Sequence, residues 1–151
     1  MGMTTVDFGW ALTGYLVLSL IILLATSFTT LGWIIHGLIL LPIFSIVLVV
    51  WWLIASQTRT SRVRVRWWTW ALVLLLQVAT ILVSPGNCYG WSQGKGCYSN
   101  LQILMGRAPR TGPAEASPWK PIASHVHSVA LAYAACVVLA VSSTSIRGPA
   151  E

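Results

Sequence analysis

From Phe8 to Ser56 the chain runs 49 residues without one Asp, Glu, Lys or Arg. A helix rising 1.5 Å per residue crosses a hydrocarbon core of about 30 Å with about 20 residues. The run is therefore too long for one crossing and suits two. The natural break is Thr29-Thr30-Leu31-Gly32, which predicts apolar spans over 9–28 and 33–55 joined by a tight turn. Pro42 falls inside the second, where it removes a backbone donor and should kink the helix unless neighbours or Ser45 compensate.

Gln57 to Arg66 reads QTRTSRVRVR. The alternation is that of a short strand, but an isolated strand beside a bilayer has no partner, so a loop touching lipid headgroups is the expected form. Trp67, Trp68 and Trp70 follow at the level where amphipathic rings favour the interface, and they open a third span over 67–84 with Gln77 near its middle. A mid-span amide of this kind serves helix packing by hydrogen-bonding a neighbour. Residues 85–120 differ in kind, being rich in Gly, Pro and Ser. Within them Ser99-Asn100-Leu101-Gln102 has the form of a capping box, predicting a short interfacial helix over 100–105 that Gly106 ends. A fourth span is expected over 121–146. The fold class is thus an all-α integral membrane protein, one domain over 1–151, with four transmembrane helices in a bundle and one 36-residue exoplasmic loop.

Composition agrees, with 56% apolar residues and 8% charged. The net charge of +6 reflects scarce carboxylates, since only Asp7, Glu115 and Glu151 are acidic. The basic residues sit in short segments between apolar runs, where positive charge orients a membrane protein, so the expected partners are the lipid bilayer and other membrane-protein subunits, with no nucleic acid. Met1 to Val6 has no basic residue, and the following apolar run outlasts a signal-peptide core, so a retained N-terminus is expected. Val6 also stands where a myristoylation signal needs Ser or Thr.

Four spans put the N-terminus, residues 57–66 and the C-terminus on one side. That side carries Arg59, Arg62, Arg64, Arg66 and Arg147, against Lys95, Arg107, Arg110 and Lys120 on the other. The density of arginine beside a span end makes the first side cytoplasmic. Cys88 and Cys97 give an independent vote, because both lie in the long loop and a disulfide between them needs an oxidising periplasmic, lumenal or otherwise exoplasmic space. No Cys-x-x-Cys is present, and Cys136 is the one other thiol, so a thiol relay has no second pair to use.

Two further patterns concern what the helices hold. Ser124, Ser128, Ala132, Cys136 and Ala140 recur every fourth residue, a ridge of small side chains that lets another helix approach closely. His36, His125 and His127 lie near the loop-side ends of the second and fourth spans, at similar depth. Neutral imidazoles at such positions either hydrogen-bond between helices or bind haem, the magnesium of chlorophyll or another chlorin, or a transition metal. On a regular helix His125 and His127 point about 200° apart, so one of them at most faces His36. No nucleotide loop, Ser-His-Asp set or zinc spacing occurs, and no carboxylate enters a span. The expectation is a non-enzymatic accessory subunit or assembly factor of a membrane complex. The alternative is an electron-transfer or pigment protein ligated by His36 with His125 or His127.

Overall fold

The computed structural model describes residues 3–90, 96–119 and 126–147. The chain is mostly helical, with α1 over Thr5–Thr26, α2 over Thr30–Gln57, α3 over Trp67–Val83, α4 over Asn100–Leu104 and α5 over Val126–Ser142. Short strands flank them: β1 at Met3–Thr4, β2 at Arg62–Arg64, β3 at Pro85–Asn87, β4 at Tyr98–Ser99 and β5 at Ser145–Arg147. Helices α1 and α2 are each long and apolar enough to cross a membrane, while α3 and α5 are shorter apolar helices of 17 residues.

Local chemistry sets the helix starts. Thr4 caps α1 by accepting from the Asp7 N–H, and Asp7 answers by accepting from the Thr4 N–H, so the first turn keeps two of its orphan donors satisfied. This starts α1 four residues ahead of the apolar run that marks it in sequence. Thr29 does the same for α2 by accepting from the Gly32 N–H at 3.2 Å, which places the break between the first two helices where the hydroxyl cluster predicted it. Helix α2 continues through Pro42, and Ser45 Oγ donates to the Leu41 carbonyl at 2.7 Å just past it.

Helix α5 ends earlier than hydropathy suggests. Ser142, Ser143 and Thr144 turn their hydroxyls back onto the carbonyls of Leu139 and Ala140, and this local competition releases the backbone into β5. Residues 120–125, the start of the predicted fourth span, lie outside the described residues.

Residues 57–66 are not simply a loop. β2 is the middle strand of an antiparallel sheet in the order β1-β2-β5, with Met3 opposite Val63, Ile146 opposite Val63, and Arg64 opposite Ser145. The first three residues of the alternation RVRVR, Arg62–Arg64, therefore form a strand, and its partners come from the segments before α1 and after α5. Val63 is buried against the helices, whereas Arg62 and Arg64 are exposed. Thr5 N–H adds a bond to the Ser61 carbonyl at 3.1 Å, and the Thr5 hydroxyl donates to the Thr58 carbonyl, fastening the sheet to the α1 start.

At the opposite end, β3 and β4 form a second antiparallel pair. Between the two ends, α1 packs along α2, α2 along α5, and α5 along α3. Leu12 and Leu16 from α1, Leu40 and Phe44 from α2, Val73 from α3, and Val137 from α5 meet in the core. The outward faces are apolar too: Leu18 on α1, Leu38 on α2, Leu75 on α3 and Leu139 on α5 are all more than half exposed. Helices of a water-soluble protein put polar residues there.

Candidate functional site

Two clusters of polar side chains lie inside the helical layer. In the first, Tyr15 from α1 donates to Gln77 Oε1 of α3 at 2.9 Å, and its hydroxyl lies 3.0 Å from that of Tyr133 on α5. Tyr133 in turn lies 2.6 Å from Ser19 Oγ, back on α1. Three helices are joined through one connected set of hydrogen bonds, in surroundings where an unmet polar group is costly. Sequence analysis singled out Gln77 but passed over both tyrosines and Ser19. The available signal was a tyrosine near the middle of an apolar span, away from the interface where tyrosine is usual.

The second cluster lies near the β3–β4 end. His36 Nε2 is 3.2 Å from Ser84 Oγ, and Ser84 Oγ is 3.4 Å from Ser27 Oγ. Ser27 gives its own proton to the Leu23 carbonyl at 2.7 Å. A consistent direction through the chain has the imidazole Nε2–H donating to Ser84, and Ser84 donating to Ser27. That leaves His36 Nδ1, buried, without a hydrogen-bond partner among the described residues. His36 is fully enclosed, and α2 approaches so closely here that a Cβ on Gly32 would come within 3.1 Å of Ser27 Oγ and 3.3 Å of Ser84 Oγ.

The structure does not bond the predicted imidazoles to one another. His127 is exposed on the outer side of α5, facing away from the core that His36 enters, and His125 lies outside the described residues. Among the described residues no group of three His, Cys, Asp or Glu side chains gathers as a metal would require.

The segment after α3 is fastened to the helix ends at many points. Cys88 and Cys97 form a disulfide with their Cα atoms 4.2 Å apart, one step beyond the Asn87–Tyr98 pair of the β3–β4 ladder. Ser99 caps α4 reciprocally with Gln102, as the Ser-x-x-Gln pattern predicts, and Gly106 leaves the helix at φ +70°. Asn100 Nδ2 donates to the Thr26 carbonyl at 3.0 Å and to the Ile81 carbonyl at 2.9 Å, so one amide satisfies a carbonyl near the end of both α1 and α3. Thr29 Oγ1 donates to the Pro85 carbonyl at 2.9 Å. Further out, Gln102 accepts from Trp119 N–H, Tyr98 donates to the Ala116 carbonyl, and Asn87 holds the carbonyls of Pro109 and Gly112. Arg110 stacks over Phe28 and Arg107 over Trp119.

The small-residue ridge of α5 divides. Cys136 and Ala140 are buried against the other helices, Ser128 and Ala132 are exposed, and Ser124 lies outside the described residues. The packed face reads Val126, Ala130, Tyr133, Ala134, Cys136, Val137 and Ala140. No protein-family model, curated protein or solved structure matches the chain. The buried polar groups accept and donate hydrogen bonds between helices.

Proposed function

We propose that the chain is a four-span membrane protein that serves as a non-enzymatic accessory subunit or assembly factor for other membrane subunits. The observation that carries this reading is the use of the interior polar groups. Tyr15, Ser19, Gln77 and Tyr133 are spent on one another and His36 Nε2 on Ser84, so these hydrogen bonds bind helices, and His36 Nδ1 is the one group of the two clusters left without a partner among the described residues. The outer faces of α3 and α5 also carry exposed apolar side chains, Leu72, Leu74, Leu75 and Val78 on α3 and Leu131, Val138 and Leu139 on α5, and 17 residues is at the short end of what spans a bilayer. The arginine-bearing sheet then lies at the cytoplasmic surface and the disulfide-fastened loop on the exoplasmic side. That loop holds Tyr89 half exposed beside the bridge, a stiffened aromatic suited to recognising a partner.

The test is crosslinking in native membranes followed by purification in mild detergent. Recovery with one or more membrane proteins in constant ratio is expected. A monomer that crosslinks to nothing overturns the reading. An absorption spectrum of the same preparation addresses haem or chlorophyll binding through His36, His125 or His127. A Soret or Qy band lost in His36→Ala transfers the conclusion to a cofactor protein.

A further inference from the structure

Residues 100–110 begin and end at the level where the long helices stop. At the start, Asn100 donates to the Thr26 carbonyl of α1 and the Ile81 carbonyl of α3, in the last turns of both. At the finish, the Arg110 guanidinium carbon lies 4.9 Å from the centre of the Phe28 ring, just past the end of α1. Between these anchors α4 has five residues, and beyond it the chain folds straight back, with the Arg107 N–H donating to the Gln102 carbonyl at 2.9 Å and Ala108 buried. Large apolar side chains nevertheless stand outward along this strap. Leu104 is 76% exposed and Met105 53%, and Phe28 beneath Arg110 is 53% exposed.

We propose that residues 100–110 lie within the exoplasmic headgroup layer, with Leu104 and Met105 against lipid and with Arg110, held on Phe28, pairing with an anionic phospholipid phosphate. The inference rests on the membrane-spanning reading above. Level is the first argument. Five helical residues rise about 7.5 Å, and the headgroup layer adds about 5–7 Å to the hydrocarbon core on each side. A strap tied at both ends to the level of the helix ends stays within that layer. Trp33, in the first turn of α2, marks the same boundary: its ring is 53% exposed while its indole N–H donates to the Ser27 carbonyl at 3.0 Å. Charge supplies the second argument. A guanidinium stacked on a ring keeps its in-plane N–H donors for other partners, and their fork fits phosphate oxygens. The described carboxylates are placed for other work, since Asp7 caps α1 at the opposite end and Glu115 lines a cleft with Arg107 rather than with Arg110.

The experiment uses the purified full chain in lipid nanodiscs, with an environment-sensitive fluorophore on Leu104→Cys. Spin-labelled phosphatidylcholine carrying its quencher near the top of the acyl chain should dim the fluorophore at least about twofold more than aqueous iodide does, as expected of an apolar side chain sunk into the interface. Met105→Cys is the second site should the Leu104 variant fail to insert. Native mass spectrometry of the chain offered equal phosphatidylglycerol and phosphatidylcholine then reads the charge. Arg110→Gln should lower the phosphatidylglycerol preference about fivefold, the value of one basic side chain at a charged surface. Phe28→Leu, which keeps the bulk but removes the ring face, should lower it in the same direction. Stronger quenching by iodide than by the lipid, protection from iodide only when a co-purified protein is present, or an unchanged lipid ratio in the Arg110 or Phe28 variant overturns the proposal. Carbonate extraction separates this failure from that of the membrane reading. A chain washed off by carbonate loses the membrane reading, and one that stays with its label open to iodide loses the strap alone.

Discussion

The hydroxyls of Ser19 and Tyr133 lie 2.6 Å apart although 114 residues separate them in the chain. Beyond the Tyr15 hydroxyl and the Gln77 amide of the same cluster, Leu16 and Leu23 from α1 and Phe44 from α2 are fully or almost fully buried. Apolar packing is tolerant of small rotations and slides between helices. A short hydrogen bond between one hydroxyl on each of two helices is not, so this contact specifies how α1 faces α5 more than how strongly they adhere.

Tyr133→Phe should therefore cost little and matter in a defined way. The ring keeps its edge contact with Phe44, at 5.9 Å between centroids, while Ser19 and Tyr15 each lose a partner. A loss of about 0.6–1.7 kcal/mol is expected, the range of interhelical hydrogen bonds measured in membranes. Thermal unfolding in detergent reads it directly. Tyr15→Phe also removes two bonds, those to Gln77 and Tyr133, but leaves the Ser19–Tyr133 contact in place, so it should cost no more than Tyr133→Phe, and a larger loss would place the centre of the cluster elsewhere.

Gly86→Ala should be a more severe change than its size suggests. A Cβ there would collide with Asn100 Oδ1 and Ile103 Cδ1. Ile103 has a flexible tip, but Asn100 is held by two bonds to the carbonyls of Thr26 and Ile81, so relief requires breaking the staple between α1 and α3. About 1–3 kcal/mol of destabilisation is expected from such overpacking. Asn100→Ala made alone should reproduce much of it, and combining the two should add little, because both act on the same contact.

Removing the bridge by Cys88→Ser with Cys97→Ser should leave the protein inserted, since the apolar helices carry the insertion energy. The bridge closes a loop of about ten residues, worth roughly 3 kcal/mol in the chain-entropy model. Its loss should show as weaker recovery with membrane partners. Unchanged co-purification would assign recognition to the exposed helix faces instead.

Sidedness is open to chemical labelling. An impermeant thiol reagent applied outside intact cells should reach Cys88 and Cys97 only after reduction, and should not reach a Cys at Thr60→Cys, an exposed position beside the arginine strand. Labelling at Thr60→Cys together with silence at the reduced pair would invert the orientation.

Legibility in the sequence followed the range of each interaction. The Ser99–Gln102 cap, the break at Thr29 to Gly32 and the Cys88–Cys97 bridge are each settled within ten residues or fewer and are legible locally, although α2 begins at Thr30 rather than at residue 33. β2 was read as a loop because its partners, Met3 and Ile146, stand far off on either side, and nothing local announces them. The α5 ridge shows a different difficulty. Residues four apart advance about 400° on a helix of 3.6 residues per turn, so a strict four-residue stripe drifts about 40° at each step. Between Ser128 and Ala140 it has turned about 120°, from the exposed face to the buried one. The buried set, which also takes in Ala134 and Cys136, contains the series Val126, Ala130, Tyr133, Val137 and Ala140, whose mixed steps of four and three keep it in place. The tyrosine cluster was missed because a phenol in an apolar run reads as aromatic bulk until its neighbours on other helices are known.

The three-stranded sheet has a consequence for synthesis. A ribosome delivers β1 first and β2 some sixty residues later, but β5 emerges only after the last helix has been made. Until then β2 has one open edge, and an open edge invites pairing with other chains. Closure of the sheet thus doubles as a timer, because its third strand is available only once α5 has been made, and a chain cut short before Ser145 keeps β2 with one open edge.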